Sequence, residues 1–290
     1  MLKKYLSAVE ERLAAIIPAE KDPPLCDAMR YSLLAGGKRL RPCMLLAAVE
    51  MLGGRWEEAM EYACALEMLH TYSLIHDDLP AMDNDSLRRG RPTNHVVYGE
   101  GQAVLAGDGL LNYAYERMLD DAAAHTEEIV QRVQAASEIA QGAGVKYMIL
   151  GQSLDLASEG KADADETLLG RIHMGKTCGM FRGAMRAAGR FCGADERAMQ
   201  ALTDYAEAFG MLFQYVDDLL DVFSTPEELG KSIGKDAEEE KLTAVRVYGI
   251  EGARVRAKEF HDEAVRAISH FGSAAEPFIH LVDDMLQRRK

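Results

Sequence analysis

Apolar residues recur at helical spacing along almost the whole chain, with few interruptions. The longest runs cover residues 3–17, 39–52, 56–79, 101–121, 126–143, 163–189, 195–223 and 250–269. Strand-like alternation bounded by turn residues is nearly absent, and the chain contains only 8 prolines. The pattern therefore predicts an all-α protein, and we expect residues 1–290 to form a single domain.

Two of the predicted helices are apolar around most of their circumference. One reads WEEAMEYACALEMLHTYSLIHDDL over residues 56–79, and the other reads YAEAFGMLFQYVDDLLDVF over residues 205–223. Helices of this kind are usually central in a fold. Each carries an Asp pair near the end of its apolar stretch, where a buried carboxylate is costly unless cations or protons neutralise it.

The spacing of the acidic residues is suited to metal binding. In the first cluster, HDDLPAMDND, Pro80 should end the helix, and the turn that follows can bring Asp83 back beside Asp77. In the second cluster, Asp217 and Asp221 lie four residues apart on one helix face. Carboxylate oxygens suit Mg²⁺, which usually keeps waters and binds substrate phosphates. One such cluster could equally be a solvated helix end, but two clusters after apolar helices favour metal sites.

Basic residues lie close to the acidic clusters in the sequence. The segment GGKRLRP places Lys38 and Arg41 three residues apart at a helix start, which suits a diphosphate. Arg88 and Arg89 follow the first acidic cluster, and His70 lies two turns before it, although a lone histidine is more often structural. Internal salt bridges are the alternative interpretation. A phosphate ligand bridged by metal explains both signs of charge together.

Composition narrows the class of protein. The formal net charge is −14, which disfavours a general nucleic-acid binder. The 5 cysteines have no paired spacing and indicate reduced thiols in a cytoplasmic protein. The N-terminus lacks the apolar run of a signal peptide, and no stretch of about 18 apolar residues predicts a membrane span.

The motifs carry a resemblance to a known family. In chain order they read GGKRLRP, YSLIHDDLPAMDNDSLRRGRPTNH, GQSLDL, GKTCGMF, FQYVDDLLDVFSTPEELGKSIGKD and EEEKLTAVRVYG. Over nearly its whole length the chain resembles the trans-polyprenyl diphosphate synthases, and among these it is most similar to the bacterial farnesyl diphosphate synthases. The resemblance implies a terpenoid-synthase-like fold of about ten core helices around a deep central cavity, usually as a homodimer. It also implies condensation of isopentenyl diphosphate with dimethylallyl or geranyl diphosphate to give farnesyl diphosphate.

The resemblance further implies roles for individual positions. Mg²⁺, for which Mn²⁺ may substitute in such enzymes, would be bound as three ions by Asp77, Asp83, Asp217 and, through water, Asp221. The allylic diphosphate would be held by Arg88, Lys176, Lys231 and Lys241. Isopentenyl diphosphate would be held by Lys38, Arg41, His70 and Arg89. The developing carbocation would lie near Thr177 and Gln214, whereas Gln152 and Asp155 fall in a motif without a fixed role.

The implied chemistry needs no side-chain nucleophile. The allylic C–O bond must ionise, and cations on the leaving oxygens act selectively on charge that develops in the transition state. The carbocation must avoid water, so the rest of the pocket should be apolar. No Ser/His or Cys/His nucleophilic pair is evident, and we assign no side-chain base.

Product length depends on the helix that carries Asp77. The growing prenyl chain should run towards its N-terminal part, where Tyr72 and Ser73 lie five and four residues before Asp77. We expect the Tyr72 phenol to form the floor of the cavity. In the resembling family, an aromatic residue there together with the expanded first motif typifies fifteen-carbon synthases. A geranylgeranyl diphosphate synthase of the same family is the alternative.

Two other classes of protein share parts of this pattern. A terpene cyclase has an acid-rich metal site, but it usually lacks a second DDxxD motif and needs no second diphosphate clamp. A non-catalytic subunit of a heteromeric prenyl synthase typically loses carboxylates from one cluster, whereas both clusters are intact here. A helical scaffold without a ligand would not explain the two Asp pairs.

Overall fold

A computed structural model describes residues 3–17, 24–160, 165–223 and 241–288 of the protein. These residues are almost entirely helical, which confirms the all-α prediction. The α-helices are α1 (Lys3–Ile16), α2 (Pro24–Leu33), α3 (Leu40–Met51), α4 (Met60–Asp77), α5 (Asn94–Tyr98), α6 (Glu100–Ala124), α7 (Ile129–Ala143), α8 (Met148–Ser158), α9 (Glu166–His173), α10 (Gly179–Phe191), α11 (Glu196–Phe223), α12 (Ala244–Ile268) and α13 (Glu276–Leu286).

Shorter elements connect the helices. Turns of 3₁₀-helix form at Trp56–Ala59, Thr126–Glu128 and Ser269–Ala275, and a π-helical turn forms at Met174–Cys178. Strands β1 (Leu87–Arg88) and β2 (Arg91–Pro92) form an antiparallel hairpin in which Leu87 is opposite Pro92. Among the described helices, none is long and apolar enough to cross a membrane.

Most predicted runs match observed helices, and the differences have local causes. The run predicted over 163–189 is broken by the π-helical turn, and the run predicted from residue 250 follows a break at Gly249, whose φ is 69°. Helices α2, α5, α8 and α13 lie outside the predicted runs. Helix α4 ends at Asp77, before Pro80, because proline lacks the backbone N–H that a continuing helix would need.

The chain divides into two compact units. The first runs to Ser137 and includes Arg190–Gly193; the second comprises Glu138–Gly189 and continues from Ala194. The expectation of a single domain stays a prediction. All five cysteines are free thiols.

Helix α4 is central in the first unit, as its apolar circumference predicts. Every residue from 62 to 69 is buried, including Glu67. The Glu67 carboxylate accepts a hydrogen bond of 2.6 Å from the buried guanidinium of Arg39, which also donates to Glu10 at 2.7 Å. Arg39 therefore has a structural role, because Glu10 and Glu67 neutralise its charge inside the first unit.

Aromatic packing in the second unit surrounds α11. The rings of Phe181 and Phe209 meet edge to face with centroids 5.0 Å apart, and Tyr205 meets Phe278 at 5.4 Å. The Tyr205 hydroxyl donates to the carbonyl oxygen of Phe278, so its burial leaves no unpaired donor. This packing fixes the helix that carries the second acidic cluster.

Candidate active site

The turn after α4 returns the chain to the helix end. The backbone N–H of Asp83 donates to the carbonyl oxygen of Asp77 at 2.9 Å, and the N–H of Asp85 donates to the carbonyl oxygen of Asp78 at 3.2 Å. The backbone of Asp83 is thus held beside that of Asp77, as the position of Pro80 predicts. Both side chains are half-buried.

Asp78, the inner residue of the first Asp pair, has a different environment. Its carboxylate is buried, and its two oxygens share the single Nε–H of Arg88 at N–O distances of 2.7 and 2.9 Å. Burial raises the pKa of Asp78, and the Arg88 guanidinium opposes that shift. Asp78 therefore fixes Arg88 next to the outward carboxylates, a positioning role that sequence spacing did not reveal.

In the same unit, basic side chains lie close to His70 of α4. The pKa of His70 is far below its ordinary value, first because the ring is desolvated and then because Arg41 and Arg89 are close. The Nη1 of Arg89 donates to the carbonyl oxygen of Gly36, which ties β1–β2 to the segment that precedes Lys38. Arg41 and Arg89 thus place positive charge beside a neutral imidazole, an arrangement that suits an anion.

In the second unit, two glycines allow an unusually close backbone approach. A Cβ on Gly151 of α8 would overlap the backbone of Lys176, and a Cβ on Gly175 would lie 2.7 Å from the Cα of Gly151. The contact places Asp155, one turn further along α8, beside the π-helical turn. The Nζ of Lys176 donates to the Asp155 carboxylate at 2.6 Å. Asp155, whose motif carried no assigned role in the sequence analysis, therefore positions Lys176.

A chain of hydrogen bonds runs from the π-helical turn to α12. The hydroxyl of Thr177 donates to the side-chain oxygen of Gln214 at 2.8 Å. The Gln214 amide donates to Asp218 at 2.9 Å, and the other Asp218 oxygen accepts from the backbone N–H of Ala244 at 2.7 Å. Asp218 thus caps the N-terminus of α12 and orients Gln214. π-Helical turns occur frequently at functional sites.

His173 packs beneath this chain as a neutral group. Burial lowers the pKa of His173 to about 3. Its ring meets Tyr215 edge to face with centroids 5.6 Å apart, and its Nε2 lies 3.7 Å from Asp218. The imidazole therefore supports Asp218 without supplying a positive charge near neutral pH.

The outer carboxylates of the second cluster face a cation. Asp217 and Asp221 are half-buried, one turn apart on α11. The Nη1 of Arg288, one of the basic residues near the end of the sequence, donates to Asp217 at 3.2 Å. Lys241 is half-buried just before α12, whereas Lys231, Arg289 and Lys290 lie outside the described residues.

The two chain-length residues differ in environment. Tyr72 is buried, and burial, with Tyr115 and Asp77 as smaller causes, raises its pKa to about 12. Ser73 is half-buried, and its hydroxyl donates to the carbonyl oxygen of His70 at 2.9 Å. Tyr72 is therefore the bulky, uncharged group on this part of α4.

The carboxylates do not form an all-protein metal cage. Among the residues that the structure describes, no three His, Cys, Asp or Glu side chains converge as metal ligands. Mg²⁺ commonly takes one or two carboxylates and completes its octahedron with water and substrate phosphates. The half-buried carboxylates of Asp77, Asp83, Asp217 and Asp221, which we call the outer carboxylates, fit that kind of site. Their buried neighbours Asp78 and Asp218 instead bind Arg88 and Gln214.

Comparisons with known proteins agree on one family. The polyprenyl synthetase family matches residues 22–275. The geranylgeranyl diphosphate synthase of Cyanophora paradoxa is 44% identical over 280 residues, which cover 97% of this chain and 93% of that protein. The chloroplastic geranylgeranyl pyrophosphate synthase of Capsicum annuum is 43% identical, over 97% of this chain and 76% of that protein. An FPP/GFPP synthase structure from Zymomonas mobilis superimposes with a TM-score of 0.86 at 32% identity, covering 99% and 97% of the two chains.

Replacing Asp218 by Asn tests its structural role. Asn offers one oxygen and one NH₂ group, so either the Gln214 amide or the Ala244 N–H loses its acceptor. We expect Asp218→Asn to lower the free energy of unfolding by about 1–3 kcal/mol, measured by urea denaturation. Asp204→Asn, an exposed change on the same helix, should stay within about 0.5 kcal/mol of wild type. Equal effects of the two changes would contradict the role given to Asp218.

Proposed function

Because the chain belongs to the polyprenyl synthetase family, we propose that this short-chain trans-prenyltransferase makes farnesyl diphosphate from isopentenyl diphosphate and a shorter allylic diphosphate. The allylic C–O bond breaks and inorganic diphosphate leaves. The double bond of isopentenyl diphosphate then forms the new C–C bond, and a proton is lost. The observation that carries the reaction is the separation of charges in the first unit, where Asp77 and Asp83 lie at one end of α4 and a basic group surrounds His70.

The basic group suits isopentenyl diphosphate. Lys38, Arg41 and Arg89 supply positive charge, and the neutral His70 can donate one hydrogen bond without adding repulsion among the guanidinium groups. No carboxylate in this group requires a metal, so direct ion pairing with the diphosphate is the simplest mode of binding.

A different set suits the allylic diphosphate. Arg88 and Lys176 are each held by a buried carboxylate, Asp78 and Asp155 respectively, and Lys241 and Lys231 complete the proposed set. Cations that are already oriented lose little freedom when the leaving group develops charge. Thr177 and Gln214 present fixed polar groups, which we propose stabilise the carbocation.

We propose that Asp77, Asp83, Asp217 and Asp221 hold Mg²⁺, with Mn²⁺ as a possible substitute. When bound, the ions neutralise charge on the departing diphosphate. In each Asp pair the inner residue, Asp78 or Asp218, instead forms hydrogen bonds that hold the protein's own side chains. Arg288 beside Asp217 indicates that this carboxylate attracts a cation.

Product length has two candidates. The names of the curated relatives favour the twenty-carbon geranylgeranyl product over our fifteen-carbon expectation. The buried phenol of Tyr72, one turn and a half before Asp77, favours the shorter product because it would block the path of the tail along α4. We give this local obstruction more weight, since identity over the whole chain reports chiefly on the fold.

We further propose a homodimer. Helix α6 exposes the large apolar side chains Val104, Leu105 and Leu119, which favours burial against a second copy. Light scattering should give twice the mass of one chain, and replacing Leu105 and Leu119 by Glu should yield monomer. Val255→Glu, on the exposed face of α12, is the matched control. A monomeric wild-type protein would exclude this proposal.

A product assay tests the function. With Mg²⁺ and labelled isopentenyl diphosphate, we expect farnesyl diphosphate from dimethylallyl and geranyl diphosphate and no extension of farnesyl diphosphate. Chelation of the metal should abolish turnover. Asp77→Asn should lower kcat/KM by about 10²–10³-fold, whereas Asp120→Asn, an exposed change on α6, should not. A twenty-carbon product would support the condensation reaction but contradict the proposed fifteen-carbon length. If folded protein elongated none of the starters, both the reaction and the length would be refuted.

Shortening Tyr72 tests the floor of the cavity. Tyr72→Ala removes the phenol and should lengthen the main product by at least one isoprene unit, because the tail can then extend along α4. Chromatography of dephosphorylated products measures the change. Ser73→Ala removes a hydroxyl that is bonded to its own helix, so it should change product length far less. An unchanged distribution for Tyr72→Ala would mean that another residue sets the length.

A further inference from the structure

His76 lies directly before Asp77 and has no role in the reaction as described so far. Its Nε2 lies 3.1 Å from the carbonyl oxygen of Val104 on α6, which requires the proton on Nε2. The same ring rests over Gly107, where a Cβ would overlap three of its atoms. The imidazole is therefore fixed in a recess on α6 that exists only because residue 107 is glycine.

The same ring also packs against the proposed floor residue. The His76 and Tyr72 rings meet edge to face, with centroids 5.7 Å apart and an interplanar angle of 81°. Aromatic pairs in this arrangement attract each other beyond their buried area. The imidazole is thus a rigid link between the backbone of α6 and the phenol of Tyr72.

We propose that His76 is a positioning residue for product length, and that Gly107 permits this role. His76 holds the Tyr72 ring across the path of the allylic tail, so the floor is a pair of rings braced against α6. The proposal rests on the proposed function, because it requires Tyr72 to limit the prenyl chain. In this proposal the hydrocarbon tail of the allylic diphosphate is the part of the ligand that would contact the Tyr72 ring.

Removing the brace should change product length while turnover persists. We expect His76→Ala to raise the ratio of twenty- to fifteen-carbon product by about 2- to 10-fold, the range that an aromatic pair contributes. His76→Phe keeps a ring against Tyr72 but loses the hydrogen bond to Val104, so it should restore the ratio only in part. A purely structural role would lower total turnover and thermal stability without moving the ratio.

Double mutants isolate the proposed contacts. Gly107→Ala should shift the ratio in the wild-type protein, because the new methyl group displaces the imidazole, but it should add nothing to His76→Ala. Similarly, His76→Ala should add nothing to Tyr72→Ala if His76 acts through the phenol.

The outcomes separate this proposal from the proposed function. If Tyr72→Ala lengthens the product but His76→Ala and Gly107→Ala leave the ratio unchanged, the bracing role is wrong and the floor stands. If Tyr72→Ala leaves the product ratio unchanged, the bracing role of His76 and the floor role of Tyr72 are both wrong, whereas the prenyl transfer itself is unaffected. A shift with His76→Ala that His76→Phe reverses in part, and that disappears in the Tyr72→Ala background, supports the proposal.

Discussion

The inner carboxylates Asp78 and Asp218 are buried, and a buried ionised carboxylate must find a partner inside the protein. Asp78 finds Arg88, and Asp218 finds the Gln214 amide and the N-terminus of α12. Each pairing fixes a polar side chain proposed to act on substrate. The adjacent Asp77 and Asp217 are half-buried, and we propose that they bind metal, so that one Asp–Asp sequence would serve both structure and ligand binding.

The same constraint explains which cations are structural. Arg39 lies between Lys38 and Arg41 in sequence, but its guanidinium is buried against Glu67 and Glu10. Lys176 is held by Asp155 through a contact that depends on the paired glycines of α8 and the π-helical turn. Burial between two carboxylates therefore makes Arg39 structural, whereas Asp155 orients Lys176, which we propose binds the allylic diphosphate.

Much of this could be predicted from the sequence, because apolar periodicity and proline placement act locally. They gave the long helices, the central position of α4 in its unit and the return of Asp83 to Asp77. The π-helical turn at Met174–Cys178 could not be predicted from apolar periodicity, which runs without a Pro from residue 163 to residue 189. Nor could the division of labour within each Asp pair, which depends on tertiary partners such as Ala244 that lie far away in sequence. The names of the relatives and the side chain of Tyr72 point to different products for a similar reason: identity averages over the fold, whereas length depends on a few ring contacts.

We propose that the outer carboxylates would hold Mg²⁺ for the allylic diphosphate. The affinity for an unreactive thiolo analogue of dimethylallyl diphosphate, measured by calorimetry with and without Mg²⁺, tests this role directly. We expect Mg²⁺ to tighten binding to the wild-type protein by about tenfold or more, and Asp77→Asn to remove most of this gain. Equal affinity with and without Mg²⁺ in the wild-type protein would contradict it.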